Sequence, residues 1–541
     1  MATGMSDDVE AGLLAAIRER PEDDAPRLVY ADWLTERGDP RGELIAVQCA
    51  LARLERDDDA RPRLEERDRE LRTAHEEAWR GELAQLPGFA SGYLERGFVR
   101  RLAMDEGALG IHLAAALAAA PLLEEVYLSR ERRDDDADEA EAPAELARLR
   151  GIRYHTTRYA LAGLESGHLD GLAALELGRD VDVPAVVDGM VARPLRLRRL
   201  DARFDGCLGK VLAWPGAAAL EDLDAARSAV DGSIAARLAR LANLRTLRLG
   251  DNRLHDEGVR ALVTSPHLRS LVELDLARTR GRAAIAEARL PALTRLRYGE
   301  NDLRGGAANK LAAAPGLANL ELLDLRGSNR PEAPLLDVDG AIAVVSSPNL
   351  ARLHTLILEQ HRFGDRALAT ILAAAKPGLR RLVLPYCDLD EAAARALAHN
   401  PNLASVVELD LSSNPFGPGA AEALAASPYL RPRTLRLAYT RLGREGIAGL
   451  VHGPVLSECR VLELASCRLH DEDVEPIAGS SQLGNLMRLL LGHNERIGDD
   501  AASRLARSGR LPRLAEVAMQ RTEVGNAGRR ALARSGRHLV V

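Results

Sequence analysis

A right-handed α/β solenoid is the fold this 541-residue sequence predicts: a horseshoe with parallel strands on its concave side, helices on its convex side and a small all-α cap at the N-terminus. Three observations carry the prediction. One apolar pattern returns about every 26 residues, the sign of stacked repeats that bury a continuous core between neighbours. Inside each copy the apolar period changes from two, which suits a strand with one buried face, to the spacing of a helix. Residues 1–90 lack the pattern and read as helices alone.

The clearest copy places Leu244, Leu247, Leu249, Asn252 and Leu254 in the spacing L-x-x-L-x-L-x-x-N-x-L. It returns at Val406, Leu409, Leu411, Asn414 and Phe416, and again at Leu486, Leu489, Leu491 and Asn494. Aligned on their first apolar position, the copies run from Val99 to Leu514, roughly seventeen units over residues 95–541. Those in 241–541 are regular; those in 95–240 are degenerate. Past each strand, stretches such as Asp365 to Leu372 and Ala392 to Ala398 carry Leu, Ile and Ala at helical spacing. Ser265-Pro266, Asn400-Pro401 and Ser427-Pro428 read as helix stops. The pattern resembles the leucine-rich repeat, in the longer form of the ribonuclease-inhibitor type. That resemblance implies a recognition surface and carries no reaction with it.

The ninth position of the pattern reads Asn252, Thr279, Asn301, Ser328, His361, Cys387, Asn414, Thr440, Cys467, Asn494 and Thr522. A small polar side chain there is expected to hydrogen-bond the buried backbone of the turn leaving the strand. In the earlier copies Asp180, Asp205 and Ser228 hold the position.

Ahead of the repeats, Leu13, Leu14 and Ile17 share one helical face, Asp39-Pro40 starts a third helix, and Pro62 to Leu86 makes a charged fourth. The run Arg27 to Leu34 (RLVYADWL), followed by Gly38 to Glu43 (GDPRGE), resembles a short bacterial module known as the repeat-companion domain. The resemblance implies a place ahead of repeats and no catalytic residue. Tyr30, Trp33 and Leu34 are expected in its core, with Arg27, Asp32 and Arg41 fixing its turns through ion pairs. Two insertions, the acidic loop 131–141 and the rim loop 328–339, are expected to bulge from the array.

Composition narrows the function. A net charge of −7 gives no footprint for nucleic acid. The chain has no apolar run long enough to span a membrane, and its N-terminus does not read as a signal peptide. Five cysteines point to a reducing cytoplasm. No H-E-x-x-H, C-x-x-C or G-x-S-x-G is present, so no catalytic residue, cofactor or metal is expected. Cys387, Cys459 and Cys467 read as structural.

The partner expected is therefore another protein, bound by a monomer or weak dimer on the concave strand face. Fifth-position residues there alternate in sign, as in Arg248, Asp275, Arg297 and Asp324, and are expected to pair across strands. Ile357 and Val383 break that polarity, with Gln360, Tyr386 and Tyr439 nearby. These five form the candidate partner-binding patch, an exposed apolar stripe edged by tyrosines, unless the rim loop folds over it. The alternative is a regulator of a partner enzyme such as a small GTPase, with Arg253 or Arg304 as the active arginine.

Overall fold

The computed structural model describes all residues except 1, 55–59, 130–139, 141, 329, 331–335, 362, 364 and 541. The acidic loop thus lies almost wholly outside the described residues, as does the middle of the rim loop. The chain divides into two compact units, Met1–Ala229 and Val230–Val541. Each is an α/β solenoid built on parallel strands.

The first unit begins with four helices: α1 (Ala2–Glu19), α2 (Asp24–Thr35), α3 (Arg41–Arg53) and α4 (Arg61–Arg80). Asp23 caps α2 by accepting from Ala25 N. Ile17, Tyr30, Leu34, Ile45 and Cys49 share a core with Phe98 and Leu122 of the repeats, so the helices are sealed onto the array by apolar contact. Trp33 is half-buried and stacks on Tyr30 at 5.6 Å, with the Arg37 guanidinium 3.8 Å from its ring. The expected ion pairs among Arg27, Asp32 and Arg41 do not form. Arg27 is buried and donates to the Asp23 carbonyl, Arg41 reaches the Gly97 carbonyl at 2.8 Å, and Asp32 faces solvent. Backbone carbonyls at helix and turn ends take these donors.

The strands β1 (Phe89–Glu95) and β2 (Phe98–Asp105) follow as an antiparallel hairpin. Its turn, Arg96 and Gly97, has positive φ at both residues (50° and 80°), the geometry that matches strand twist. Gly97 is obligatory, since a Cβ there would lie 2.2 Å from Ile45 Cγ1 on α3. From β2 onward the strands run parallel: Glu125–Ser129, Gly151–Thr156, Ala174–Asp180, Arg199–Asp201 and Asp222–Asp224.

In the second unit strand and helix alternate more regularly. Each strand spans three residues, from Thr246–Arg248 to His538–Val540, and all pair in parallel. The fourth-position leucines stand in register and are fully buried: Leu247, Leu274, Leu296, Leu323, Leu356, Leu382 and Leu409 among them. Helices such as His255–Val263, Glu391–Ala398 and Asp499–Arg507 return the chain. The copy from Leu271 to Leu293 is the short one, and there a single 3-10 turn, Ala284–Glu287, replaces the helix. Tyr298 takes a sixth-position leucine's place in the following copy, and its ring fits because Gly281 leaves room beside the hydroxyl.

Candidate functional site

The strand face of the second unit rests on buried hydrogen bonds that repeat from copy to copy. Asn414 is the pattern in full. Its Oδ1 accepts from Cys387 N (3.0 Å) and Leu389 N (3.1 Å), and its Nδ2 donates to the Leu384 and Leu411 carbonyls. Asn494 repeats this with Cys467, Leu469, Leu464 and Leu491, and Asn301 with Thr279, Gly281, Leu276 and Tyr298. Cys387 and Cys467 donate their thiols to the Leu358 and Leu437 carbonyls. Burial pushes the Cys387 thiol up to about 12, which fits a structural role.

His361 fills the same position with a ring. Its Nδ1 accepts from Leu336 N at 3.2 Å, and its Nε2 lies 2.6 Å from the Leu325 carbonyl. A carbonyl needs a donor, so the proton sits on Nε2 and the ring is neutral. Burial depresses its pKa to about 4.

A second ladder went unread in the sequence. Ser265, Ser347, Ser427, Ser480 and Ser508 each donate to a carbonyl of the preceding copy (Ala239, Ala312, Ala398, Val451 and Ala478). The same hydroxyls accept from the backbone two residues on, as in His267 N and Gln482 N. Asn400 acts likewise toward Leu372. The Ser-Pro and Asn-Pro pairs signal the end of a helix; the recurrence of a hydroxyl or amide at that place, in Ser480 and Ser508 without a proline, is the available clue.

The fifth-position aspartates also serve the turns that follow their strands. Asp224, Asp275, Asp324 and Asp410 each accept from the backbone N–H two residues later, at 2.9–3.0 Å. Fifth-position arginines reach third-position glutamates as well. Glu273 receives Arg297 at 2.6 Å, Arg248 at 3.5 Å and Arg295 at 3.8 Å. Burial alone would raise the Glu273 carboxyl, but those three guanidinium groups hold it below its ordinary value. Cross-strand pairing at the fifth position does occur for Arg153–Glu176 (3.1 Å) and Arg436–Glu463 (3.3 Å). A local N–H is always within reach of a short aspartate, whereas the longer glutamate can span two strands.

Nor do the five patch residues form an exposed apolar stripe. Ile357 and Val383 lie opposite each other on adjacent strands and are 8% and 6% exposed. Strands so close let branched side chains in register cover one another. Gln360 is half-buried, while Tyr386 and Tyr439 are 46% and 60% exposed. All three occupy the eighth position, in the turn leaving the strand, with φ of 63°, 54° and 57°. Asp251, Arg278, Glu300, Ser413, Ser466, His493 and Arg521 share that position and the left-handed backbone. The turn is held by its own N–H, which donates to the next copy: Tyr386 N to the Ser412 carbonyl and Tyr439 N to the Ala465 carbonyl. The candidate surface is therefore a row of side chains at the strand-exit turns, with two tyrosines standing out from it.

Among the described residues no cluster of His, Cys, Asp or Glu converges as metal ligands, and no helix is long and apolar enough to cross a membrane. Arg304 is tied to Asp302 at 2.9 Å.

No curated protein matches the chain's sequence. Among solved structures it is similar to an internalin of Listeria monocytogenes, at 13% identity, covering 81% of this chain and 94% of that one with a TM-score of 0.31. It is similar also to yeast Rad7 in its complex with Elc1 (16% identity, 70% and 83% covered, TM-score 0.42). A leucine-rich repeat protein of Leptospira interrogans gives 16% identity, 74% and 91% covered, and a TM-score of 0.33. Residues 240–263 and 402–425 match the family model described as Leucine Rich repeat. Those two stretches, which include part or all of copies whose Asn252 and Asn414 close the strand-exit turns, are leucine-rich repeats.

Proposed function

We propose that this protein is a non-catalytic interaction scaffold that captures another protein on the strand face and strand-exit turns of its second unit. Tyr386 and Tyr439 are the anchors; Gln360, Ile357 and Val383 support the surface between them. One observation carries the reading: two large aromatic side chains are exposed on backbone that tyrosine adopts only at a cost, about 1–2 kcal/mol each. Aromatic anchors on a rigid frame are what protein contacts favour. The ribonuclease-inhibitor-like repeat type, the helical cap over residues 1–90 as a repeat-companion module, and a cytoplasmic location belong to the same proposal. Five free, buried cysteines suit a reducing compartment. A GTPase regulator would act through Arg253, which is exposed, since Arg304 is held by Asp302.

The test is comparative capture from native lysate by the full chain and by Tyr386→Ala/Tyr439→Ala. The reading expects a band held by the parent and lost in the variant, with thermal unfolding unchanged. Identical capture by both proteins would refute it.

A further inference from the structure

The last two repeats of the second unit gather positive charge. Residues 496–541 hold ten arginines against four carboxylates, in a chain whose net charge is −7. Arg504 pairs with Glu475 at 3.0 Å, and Arg513 donates to the Asn485 amide oxygen at 2.9 Å. Arg507, Arg510, Arg530 and Arg534 are exposed, and among the described residues their side chains have no ion-pair or hydrogen-bond partner.

Geometry places these groups in one corner. Arg507 and Arg534 end the helices Asp499–Arg507 and Asn526–Arg534, which pack against each other, and Arg530 lies one turn before Arg534 on the same face. Arg537, only 8% exposed, reaches back to the Leu505, Ser508 and Leu511 carbonyls. It thereby ties the loop carrying Arg510 to the end of the helix carrying Arg534. The buried Nε of Arg537 has no partner. A helix C-terminus welcomes one cation, which accounts for Arg507 and Arg534 taken singly. It does not account for Arg510, Arg530 and a buried, acid-free Arg537 beside them.

Guanidinium forks match carboxylates and phosphates alike. Three features choose between the macromolecules that carry them. Residues 496–541 contain no Phe, Trp or Tyr, so unpaired bases find no stacking platform. The net negative chain repels a long phosphate backbone, while a short peptide meets only the corner. Among the described residues no large apolar side chain is exposed in this stretch, so nothing would insert into a lipid surface. We propose that Arg507, Arg510, Arg530 and Arg534, braced by Arg537, bind an acidic segment of a partner protein. The proposal rests on reading the second unit as protein-binding, but uses none of the residues in the tyrosine surface.

The test is fluorescence anisotropy of a labelled oligoglutamate peptide titrated with the full chain at low salt. Saturable binding is expected, weakened at least about tenfold by Arg507→Gln/Arg510→Gln/Arg534→Gln. Arg510→Gln alone, on a loop, should move it the same way. A control on the strand-exit side, Arg441→Gln/Arg468→Gln, should bind like the parent, as should Tyr386→Ala/Tyr439→Ala. Parallel titrations use a DNA duplex and phosphatidylserine vesicles. Absent oligoglutamate binding, undiminished binding by the triple variant, or tighter binding of DNA or vesicles would each overturn the proposal. If the tyrosine-dependent capture persisted in that event, the wider scaffold reading would stand and only the basic corner would fall.

Discussion

The two units solve one problem in two ways. Both must satisfy backbone groups where a strand turns away into the core. The second unit does it with a repeated part: Asn252, Asn301, Asn414 and Asn494 at the strand exit, and serines where the helix ends. The first unit uses single devices. Glu106 is a buried carboxylate accepting from His155 N, Thr156 N and Thr156 Oγ1. Gln48 accepts from Gly97 N at 2.7 Å, and Arg100 gathers Glu22, Glu95 and Glu124. Of its ninth-position residues, Ser228 alone keeps the ladder role, accepting from Phe204 N, while Asp180 and Asp205 are exposed. A repeated part couples each copy to the next, and its failure should travel; a single device fails where it stands.

The largest effect should follow from cutting the ladder. Asn414→Ala leaves two buried N–H groups without an acceptor and two carbonyls without their donor, a cost of about 4 kcal/mol. Glu106→Ala in the first unit should cost about 3 kcal/mol. Urea unfolding of both variants orders them; a smaller loss at Asn414 than at Glu106 would break the comparison.

His361 sharpens it through pH. Its pKa is depressed in the fold, from 6.5 to about 4, because burial favours the neutral ring. The stability it contributes is fully present above the unfolded value near 6.5 and is lost as pH falls toward the folded value. The loss over that window is at most about 3 kcal/mol. His361→Asn, which keeps an acceptor and a donor, should remove that part of the slope when melting is followed between pH 7 and pH 4. An unaltered slope would mean that other groups set it.

A third expectation concerns the first unit alone. Gly97→Ala forces a Cβ against Ile45 on backbone with φ of 80°, and should cost about 2 kcal/mol. Amide exchange should then rise in α2 and α3 ahead of the parallel strands. Uniform acceleration throughout the unit would show that the hairpin turn is not a local joint.

This contrast also decides what could be read from the chain. Leu247, Leu274 and Leu382 recur at fixed spacing, and so the strands, their registers and the buried face followed from the sequence. The asparagine ladder followed too, since one residue type returned in one place. Glu106 could not be found that way, because a device used once has no period. The tyrosine patch was half legible. Spacing identified Tyr386 and Tyr439 as unusual, but assigned them to the strand face. Their left-handed turn comes from hydrogen bonds to the following copy, which no local pattern announces. Ile357 and Val383 read as exposed because the pattern gives a side chain's direction and says nothing about what its neighbours cover.

The smallest expected change in stability is the most direct test of the whole account. Tyr386→Gly/Tyr439→Gly relieves two strained left-handed residues, and should raise stability by about 0.5–1 kcal/mol per site. Measured together, unfolding and partner capture should diverge: a protein as stable as the parent or more so, and no partner held. A double glycine variant that captures its partner as well as the parent would contradict the claim that these side chains are kept for binding.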